Sequence, residues 1–448
     1  VIPHIDRAIP VVGVCNISET FYEFLSRAGD EETCAGLIKG EQYRGDRALV
    51  WFGDRKLVFV SFPIPHAEAL YRQCGYHDTR YLAPEQPSPM LSLDILREPA
   101  LLQALVEYAG PDKTVQLVPY ATTPEFLRLV DVLRSEHGLT VLLPETPASE
   151  AIWVRDYVDT KTGYRVLASR WLHNAADLIP EGYPCHTAEL AAQTATWFSR
   201  NGRACLIKAD IGENGIGNRI VRPSDAMTPD AVLEMIEQYR FLGQNWLTVE
   251  MLIEAEKPLS PSLEFYVPPA GQGEPVITYL SDQLFQEFGD FCGVLVSREL
   301  NAQPWASVMA EAGLCLARHL QAMGYVGHFD LDAVVDDDER VYLLEVNSRR
   351  TGGTHVHEFA HFMFGADYLD KVALLSNDSM KAGTATTVEE LLAAVGDLQY
   401  PIAGQQRGVV VTITSALEAG EFGCIVIGSN SAEVVAMQQE LARRLETA

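Results

Sequence analysis

The chain has 448 residues, 47% hydrophobic and 21% charged, a composition that excludes a disordered chain and leaves room for two or three domains. Lys and Arg number 34 against 61 Asp and Glu, a net charge of -27, so no nucleic-acid or membrane-surface partner is expected, although a local basic pocket could still hold one nucleotide. The cysteines form no C-x-x-C pair, the start VIPHIDRAIPVVGVCN has no basic segment before an apolar run, and no 18 apolar residues run together. Reduced thiols in a cytoplasmic protein are therefore the expectation.

Residues 1–150 read as strands alternating with helices. LVFVSF (57–62), TVQLVPY (114–120) and TVLLP (140–144) are short apolar runs, and TPEFLRLVDVLRSEHG between the last two is a helix with Pro124 near its start and Gly138 past its end. This is an open α/β layer. From about 151 the texture becomes α+β, with strand pairs separated by amphipathic stretches such as HTAELAAQTATWFSRNG (186–202). Residues 376–448 read as a small appended α+β module, with strands GVVVTIT and GCIVIGS and the helix SAEVVAMQQELARRLE.

The chemistry-bearing stretches begin with ACLIKADIGENGIGNRIV (204–221). A strand carrying Lys208 leads into a loop with Gly212, Gly215 and Gly217 and then into a second strand. It is neither a Walker A loop nor a dinucleotide fingerprint. A glycine loop between strands can fold over a polyphosphate, its amides donating to oxygens while Lys208 supplies charge; the bland alternative is a flexible hairpin turn. NWLTVEMLIEAE (245–256) is an apolar strand broken by Glu250 and followed by Glu254. Such a backbone can read an adenine edge, with an acid at its end for ribose hydroxyls.

GHFDLDAVVDDDERVYLLEVNSRRTGG (327–353) is a hairpin around an acidic turn. Glu345 and Asn347 project from one face and Asp332 sits on the partner strand. Two carboxylates and an amide are hard oxygen ligands suited to Mg²⁺ shared with phosphates, and Arg349 and Arg350 follow with guanidinium charge. Asp336 to Glu339 read as a solvated turn. Next comes THVHEFAHFMFG, in which HEFAH (357–361) fits the H-E-x-x-H zinc pattern. The continuation FMFGADY lacks the third histidine, leaving only Asp367, Asp370 or Glu389 as a further ligand.

In order, a lysine in DTKTGYRVLASR (Lys161), a second lysine (Lys208), a glycine loop, an acidic hinge strand and a D…E-x-N-x-R hairpin resemble the ATP-grasp superfamily of carboxylate-amine ligases over about 150–375. The segment K-x-G-Y-R-x-L and the run E-V-N-S-R-R-T-G-G-T are most similar to pheganomycin-type peptide ligases. The resemblance implies a Rossmann-like pre-ATP-grasp domain (1–150), a two-lobed ATP-grasp domain (151–375) and the C-terminal module (376–448). It implies ATP with two Mg²⁺ ions, metal held by Asp332, Glu345 and Asn347, and α- and β-phosphates held by Lys161 and Lys208 under Gly212, Gly215 and Gly217. Adenine would lie against Glu250, Met251, Leu252 and Ile253, and ribose at Glu254. Arg349 and, more weakly, Arg350 would act on the transferred phosphoryl group and the tetrahedral intermediate. The implied partners are a small carboxylate and a peptide or amino-acid amine, in a homodimer and in natural-product biosynthesis. In that setting HEFAH opens the helix after the metal hairpin, with His355 or His357 near the carboxylate substrate. Two readings from other classes stand beside it: a zinc metallohydrolase using HEFAH, and a catalytically silent nucleotide-binding protein.

Overall fold

Short β-branched runs build the first layer of the computed structural model, which describes residues 4–256, 259–286 and 290–447. β1 (Val11–Val14), β2 (Lys56–Phe59), β3 (Thr79–Leu82), β4 (Thr114–Pro119) and β5 (Thr140–Leu142) pair in parallel in the order β3-β2-β1-β4-β5. Val12 and Val14 pack with Leu57, Leu117 and Phe126 on one face, while Val11, Val58 and Val118 enter the core on the other. A parallel sheet must be covered on both faces in this way. The expected helix is Pro124–Ser135, where Thr123 Oγ1 accepts the Phe126 N–H at 3.1 Å.

A second, antiparallel sheet holds β6 (Gly182–Cys185), β7 (Cys205–Glu213), β8 (Ile216–Val221) and β9 (Leu247–Met251) in the order β6-β9-β7-β8. Helices Ala188–Arg200 and Pro229–Gln238 bury Ala195, Phe198, Val232 and Ile236 in one cluster with Ile207 and Val249.

The third sheet is the largest. β10 (Pro261–Val267), β11 (Val276–Phe285), β12 (Phe291–Val296), β13 (Gly327–Val335), β14 (Val341–Asn347), β15 (Ala373–Lys381), β16 (Gly408–Ile413) and β17 (Glu421–Gly428) run in the order β14-β13-β10-β11-β12-β15-β17-β16. Helix Pro304–Ala322 places Met309, Leu316 and Leu320 in one cluster with Phe265, Phe329 and Leu331. The division drawn after residue 375 falls inside β15. The tail strands β17 and β16 are hydrogen-bonded onward from it, so the last segment continues the sheet.

All eight cysteines are free thiols, and among the described residues no helix is long and apolar enough to cross a membrane.

Candidate active site

A cleft of about 550 Å³ opens where the three sheets meet, within the size range of small-molecule sites. Its wall includes Lys208, Gly212, Gly215, Asp332, Glu345, Asn347 and Arg349.

The β13–β14 hairpin sets Asp332 directly opposite Glu345 and Asp330 opposite Asn347. On β14, Val341, Leu343 and Val346 are buried in the core with Leu331 and Ala333. Strict alternation from Val341 and Leu343 would turn Glu345 inward as well. The register slips between Asp332 and Ala333, leaving Leu344 as the extra residue of a β-bulge, and Glu345 swings to the cleft. Leu344 and Glu345 consequently both line it.

Asn347 Nδ2 donates to Asp332 Oδ2 at 2.9 Å, Gln283 Nε2 donates to Asp332 Oδ1, and Ser262 Oγ donates to Asp330 Oδ2 at 3.1 Å, while Asp330 Oδ1 has no partner. Burial, and then the neighbouring Glu345, push the Asp332 carboxyl up to about 6; burial and Asp332 push Asp330 well above the usual carboxylate range. Burial also raises Glu345, but Lys161 and Lys208 outweigh it and hold this carboxyl below its ordinary value. Three carboxylates and an amide gathered on one cleft wall, two of the carboxyls raised by burial and one oxygen of Asp330 orphaned, fit a hard divalent cation. Gln283 had no signal in the sequence, because its strand neighbours carry no motif.

Lys161 opens helix Lys161–Trp171, capped by Thr160 Oγ1, which accepts the Gly163 N–H at 2.9 Å. Its Nζ lies 2.8 Å from Glu345 Oε2. Gly163 explains the K-x-G spacing: a Cβ there would stand 1.8 Å from the carbonyl oxygen of Tyr157. Lys208 Nζ lies 2.5 Å from Glu250 Oε1 across the β7–β9 pair, and Arg165 Nη2 donates to Glu250 Oε2 at 2.7 Å.

Glu250 therefore departs from the adenine-edge expectation. Its main chain is flanked by Gly182 and Leu206, and its carboxylate is held between two cations. The Met251 and Leu252 N–H groups donate to Glu181 O and Ala204 O at 2.7 and 3.0 Å. Ile253 follows outside β9, and Glu254 is exposed and paired with Arg222. Between β7 and β8 the chain turns at Asn214 and Gly215, with φ of 49° and 75°, and Gly217 has φ of 94°. Glu213, Asn214 and Ile216 join the cleft wall from this loop.

The two arginines diverge. Arg349 lines the cleft: its Nη1 donates to Asn347 Oδ1 at 2.9 Å and to Asp159 Oδ1 at 3.4 Å, and its guanidinium lies 4.8 Å from the Phe21 ring. Arg350, expected beside it at the reacting group, is 1% exposed. Its Nε and Nη2 donate to Glu145 at 2.8 and 2.7 Å, Nη2 also donates to Glu358 at 2.9 Å, and Trp51 and Phe52 lie over its guanidinium, each at 4.7 Å. The chain bends at Arg349 just after β14, and the two side chains part, Arg349 facing the cleft and Arg350 the buried carboxylates.

The zinc reading of HEFAH is overturned by the same contacts. Glu358, its general base, is buried against Arg350 and accepts the Phe52 N–H at 3.1 Å. His357 Nδ1 meets the Tyr368 hydroxyl at 3.1 Å, its ring stacks on Tyr279, and burial pushes its pKa down to about 4. The remaining ligand candidates Asp367, Asp370 and Glu389 pair with Lys371, Arg298 and His66. Among the described residues the one His, Cys, Asp and Glu group with metal-like spacing is His4, Glu145 and His328, where both Glu145 oxygens already accept from Arg350. His355 is buried beside Asp378, behind the cleft wall.

No family model matches the sequence, and no curated protein matches it. Solved structures do. Biotin carboxylase of Campylobacter jejuni in a β,γ-ATP complex is 12% identical, covering 98% of this chain and 94% of its own with a TM-score of 0.57. The biotin carboxylase domain dimer of Hydrogenobacter thermophilus 2-oxoglutarate carboxylase, with MgADP, ADP and bicarbonate, is 14% identical over 97% and 89% with a TM-score of 0.55. The N5-carboxyaminoimidazole synthase of Aspergillus clavatus, with ADP and 5-aminoimidazole ribonucleotide, is 13% identical over 98% and 99% with a TM-score of 0.51. At such identities the likeness speaks for fold. The chain carries an α/β pre-ATP-grasp layer joined to the two-lobed ATP-grasp fold, with the α+β tail continuing the large sheet.

Proposed function

We propose that the protein is an ATP-dependent carboxylate-amine ligase. The observation that carries this reading is the facing set Asp332, Glu345 and Asn347, with Lys161 and Lys208 beside Glu345, in a cleft roofed by a glycine loop. A carboxylate is a poor acyl donor because its oxygen leaves badly. One carboxylate oxygen attacks the γ-phosphorus of ATP, the bond to the β,γ-bridging oxygen breaks, and an acyl phosphate and ADP result. An amine then adds to the acyl carbon, phosphate leaves, and the amine's surplus proton is lost to give the amide.

Phosphoryl transfer is chiefly positioning and charge neutralisation. Asp332, Glu345 and Asn347 would hold Mg²⁺, which would supply positive charge to the phosphate oxygens. Lys161 and Lys208 neutralise the α- and β-phosphates, and Glu250 with Arg165 fixes the direction of Lys208. The amides from Gly212 to Ile216 would cover the phosphates and keep water from the acyl phosphate, whereas the Gly217 N–H, expected among them, donates to the Tyr239 hydroxyl at 3.2 Å and Gly217 is not part of the cleft wall. Adenine would take the space beside Leu206, Ile220 and Leu344 of the cleft wall, and Glu254 would serve the ribose. Arg349 stabilises charge on the transferred group and on the tetrahedral intermediate. Arg350 has no place in this chemistry.

Within this reading, peptide-bond formation between a small or nonproteinogenic amino acid and a peptide amine is supported by the pheganomycin-type segments K-x-G-Y-R-x-L and E-V-N-S-R-R-T-G-G-T. The test is hydroxylamine trapping: the protein with MgATP and a panel of N-acylated amino acids and short carboxylates should give hydroxamate and ADP in equal amounts. Hydroxamate formed without ATP consumption, or ADP released equally with no carboxylate present, would defeat the proposal.

A further inference from the structure

One corner of the cleft is built largely by the N-terminal layer. Arg44 and Arg47 come from the short helical turn Arg44–Val50, and Tyr120 follows β4. With Glu213 of the glycine loop they line the cleft, Arg349 standing at their border with the metal-ligand set. The Arg47 side chain is 5% exposed; its Nη2 is held by Asp378, but its buried Nε–H has no acceptor. Arg349 Nε is likewise buried without a partner, as is Glu213 Oε2. Arg44 pairs with Glu41. Arg44, Arg349 and Arg47 are the charges that act on the Glu213 carboxyl, so the chain's own loop already presents a carboxylate to them.

A buried cationic N–H left without an acceptor costs free energy, and an arriving oxyanion would satisfy the two on this cleft wall. Each guanidinium already has a carboxylate neighbour, in Glu41, Asp378 and Asp159, which suits the corner to one delocalised negative charge rather than a phosphate dianion. The planar fork of Arg matches a carboxylate.

We infer that Arg47, with Arg44 beside it and Arg349 at its border, forms a carboxylate subsite, and that one substrate carries a carboxylate which the reaction does not consume. The group belongs either to the acyl donor, which is then a dicarboxylate, or to an amine acceptor with a free C-terminal carboxylate. This rests on the ligase reading for its meaning but not for its test.

Calorimetry of the full chain, with and without a non-hydrolysable ATP analogue and Mg²⁺, would use succinate as the dicarboxylate probe and alanylalanine as the acceptor probe, with alanylalaninamide as control. The expected result is saturable binding of succinate or alanylalanine, the amide binding far more weakly than the free dipeptide. Arg44→Gln should weaken that binding roughly ten- to hundredfold and leave nucleotide affinity unchanged. Arg47→Gln should do the same; because it strands Asp378, the Arg44 variant decides the matter if this one fails to fold. The subsite is overturned if neither probe binds folded wild type, if the amide is the only species to bind or binds as well as the acid, or if Arg44→Gln leaves carboxylate affinity intact. Carboxylate binding retained with no nucleotide binding would instead sink the ligase reading and leave the subsite standing.

Discussion

On the cleft side of the chain after β14, burial raises Asp332 to about 6, Glu213 to about 7 and Asp330 well above the usual range. One residue further on, around Arg350, burial also acts to raise Glu145 and Glu264. There Arg350 and His328 outweigh it at Glu145, and His328 outweighs it at Glu264, so both carboxyls end below their ordinary values. What separates the two regions is how far the cations offset burial: around Arg350 they overcome it at both carboxyls, whereas on the cleft side they overcome it at Glu345 but not at Asp332, Asp330 or Glu213. The Arg350 side balances its charges within the chain and ties the N-terminal layer to the large sheet. The cleft side leaves negative charge and several donors open, the condition expected where a metal, phosphates and a substrate complete the arrangement.

The sharpest way to break this comparison is to remove one charge from each side. Glu345→Ala should cut ATP-dependent ligation by at least ~10³-fold, while the variant still melts cooperatively. Near-normal ADP release by that variant would erase the distinction. Arg350→Ala should do the opposite, destabilising the fold by about 3–5 kcal/mol in urea titrations because Glu145 and Glu358 are left buried without it. A loss below ~1 kcal/mol would show that the network is dispensable.

Arg349→Ala sharpens the contrast one position away. Turnover should fall roughly a hundredfold while nucleotide affinity changes by less than about threefold, since the group acts on charge that develops during transfer. Equal losses in both would reduce Arg349 to a binding residue.

The Arg350 side should also carry the pH dependence of stability. Burial opposes the charge on His328, but Glu145 and Glu264 prevail and raise its pKa to about 10; His4 is moved the other way, chiefly by burial. A raised histidine contributes stability that is fully present below its unfolded value of roughly 6.5, and that contribution is lost as pH climbs through about 10. Urea midpoints should therefore decline across that window, and His328→Gln should flatten the decline. An unchanged slope in the variant would assign it to another group. The smallest effect belongs to Glu254→Ala: exposed and paired with Arg222 at the surface, it should leave stability within ~0.5 kcal/mol and raise the KM for ATP about fivefold. An unchanged KM would remove Glu254 from the ribose.

The same two regions explain what the sequence made legible. The hairpin was readable because D…E-x-N-x-R is local: its strands, acidic turn and facing carboxylates lie within one stretch of chain. The bulge at Leu344 was not, since alternation through Val341 and Leu343 gives no sign of where the register slips. Arg350 looked like Arg349 because its partner Glu145 comes from a distant element of the chain, and no local pattern carries such a contact. Glu250 read as a hinge acid, while its commitment to Lys208 and Arg165 depends on how three separated segments pair. The division after residue 375 falls inside β15, whose pairing with β12 and β17 joins segments far apart in the chain and leaves no local mark. Arg44 and Arg47 carried no motif, and only the packing of the first layer against the large sheet brings them to the cleft.

The central claim is that the Arg349 side is a magnesium-nucleotide site, and calorimetry of metal-stripped protein with a non-hydrolysable ATP analogue tests it most directly. Binding should require added Mg²⁺ in the wild type and in Arg350→Met, and be abolished or severely weakened in Glu345→Ala. Nucleotide binding by folded Glu345→Ala with wild-type affinity and the same indifference to Arg350, or no binding to folded wild type at all, would contradict it.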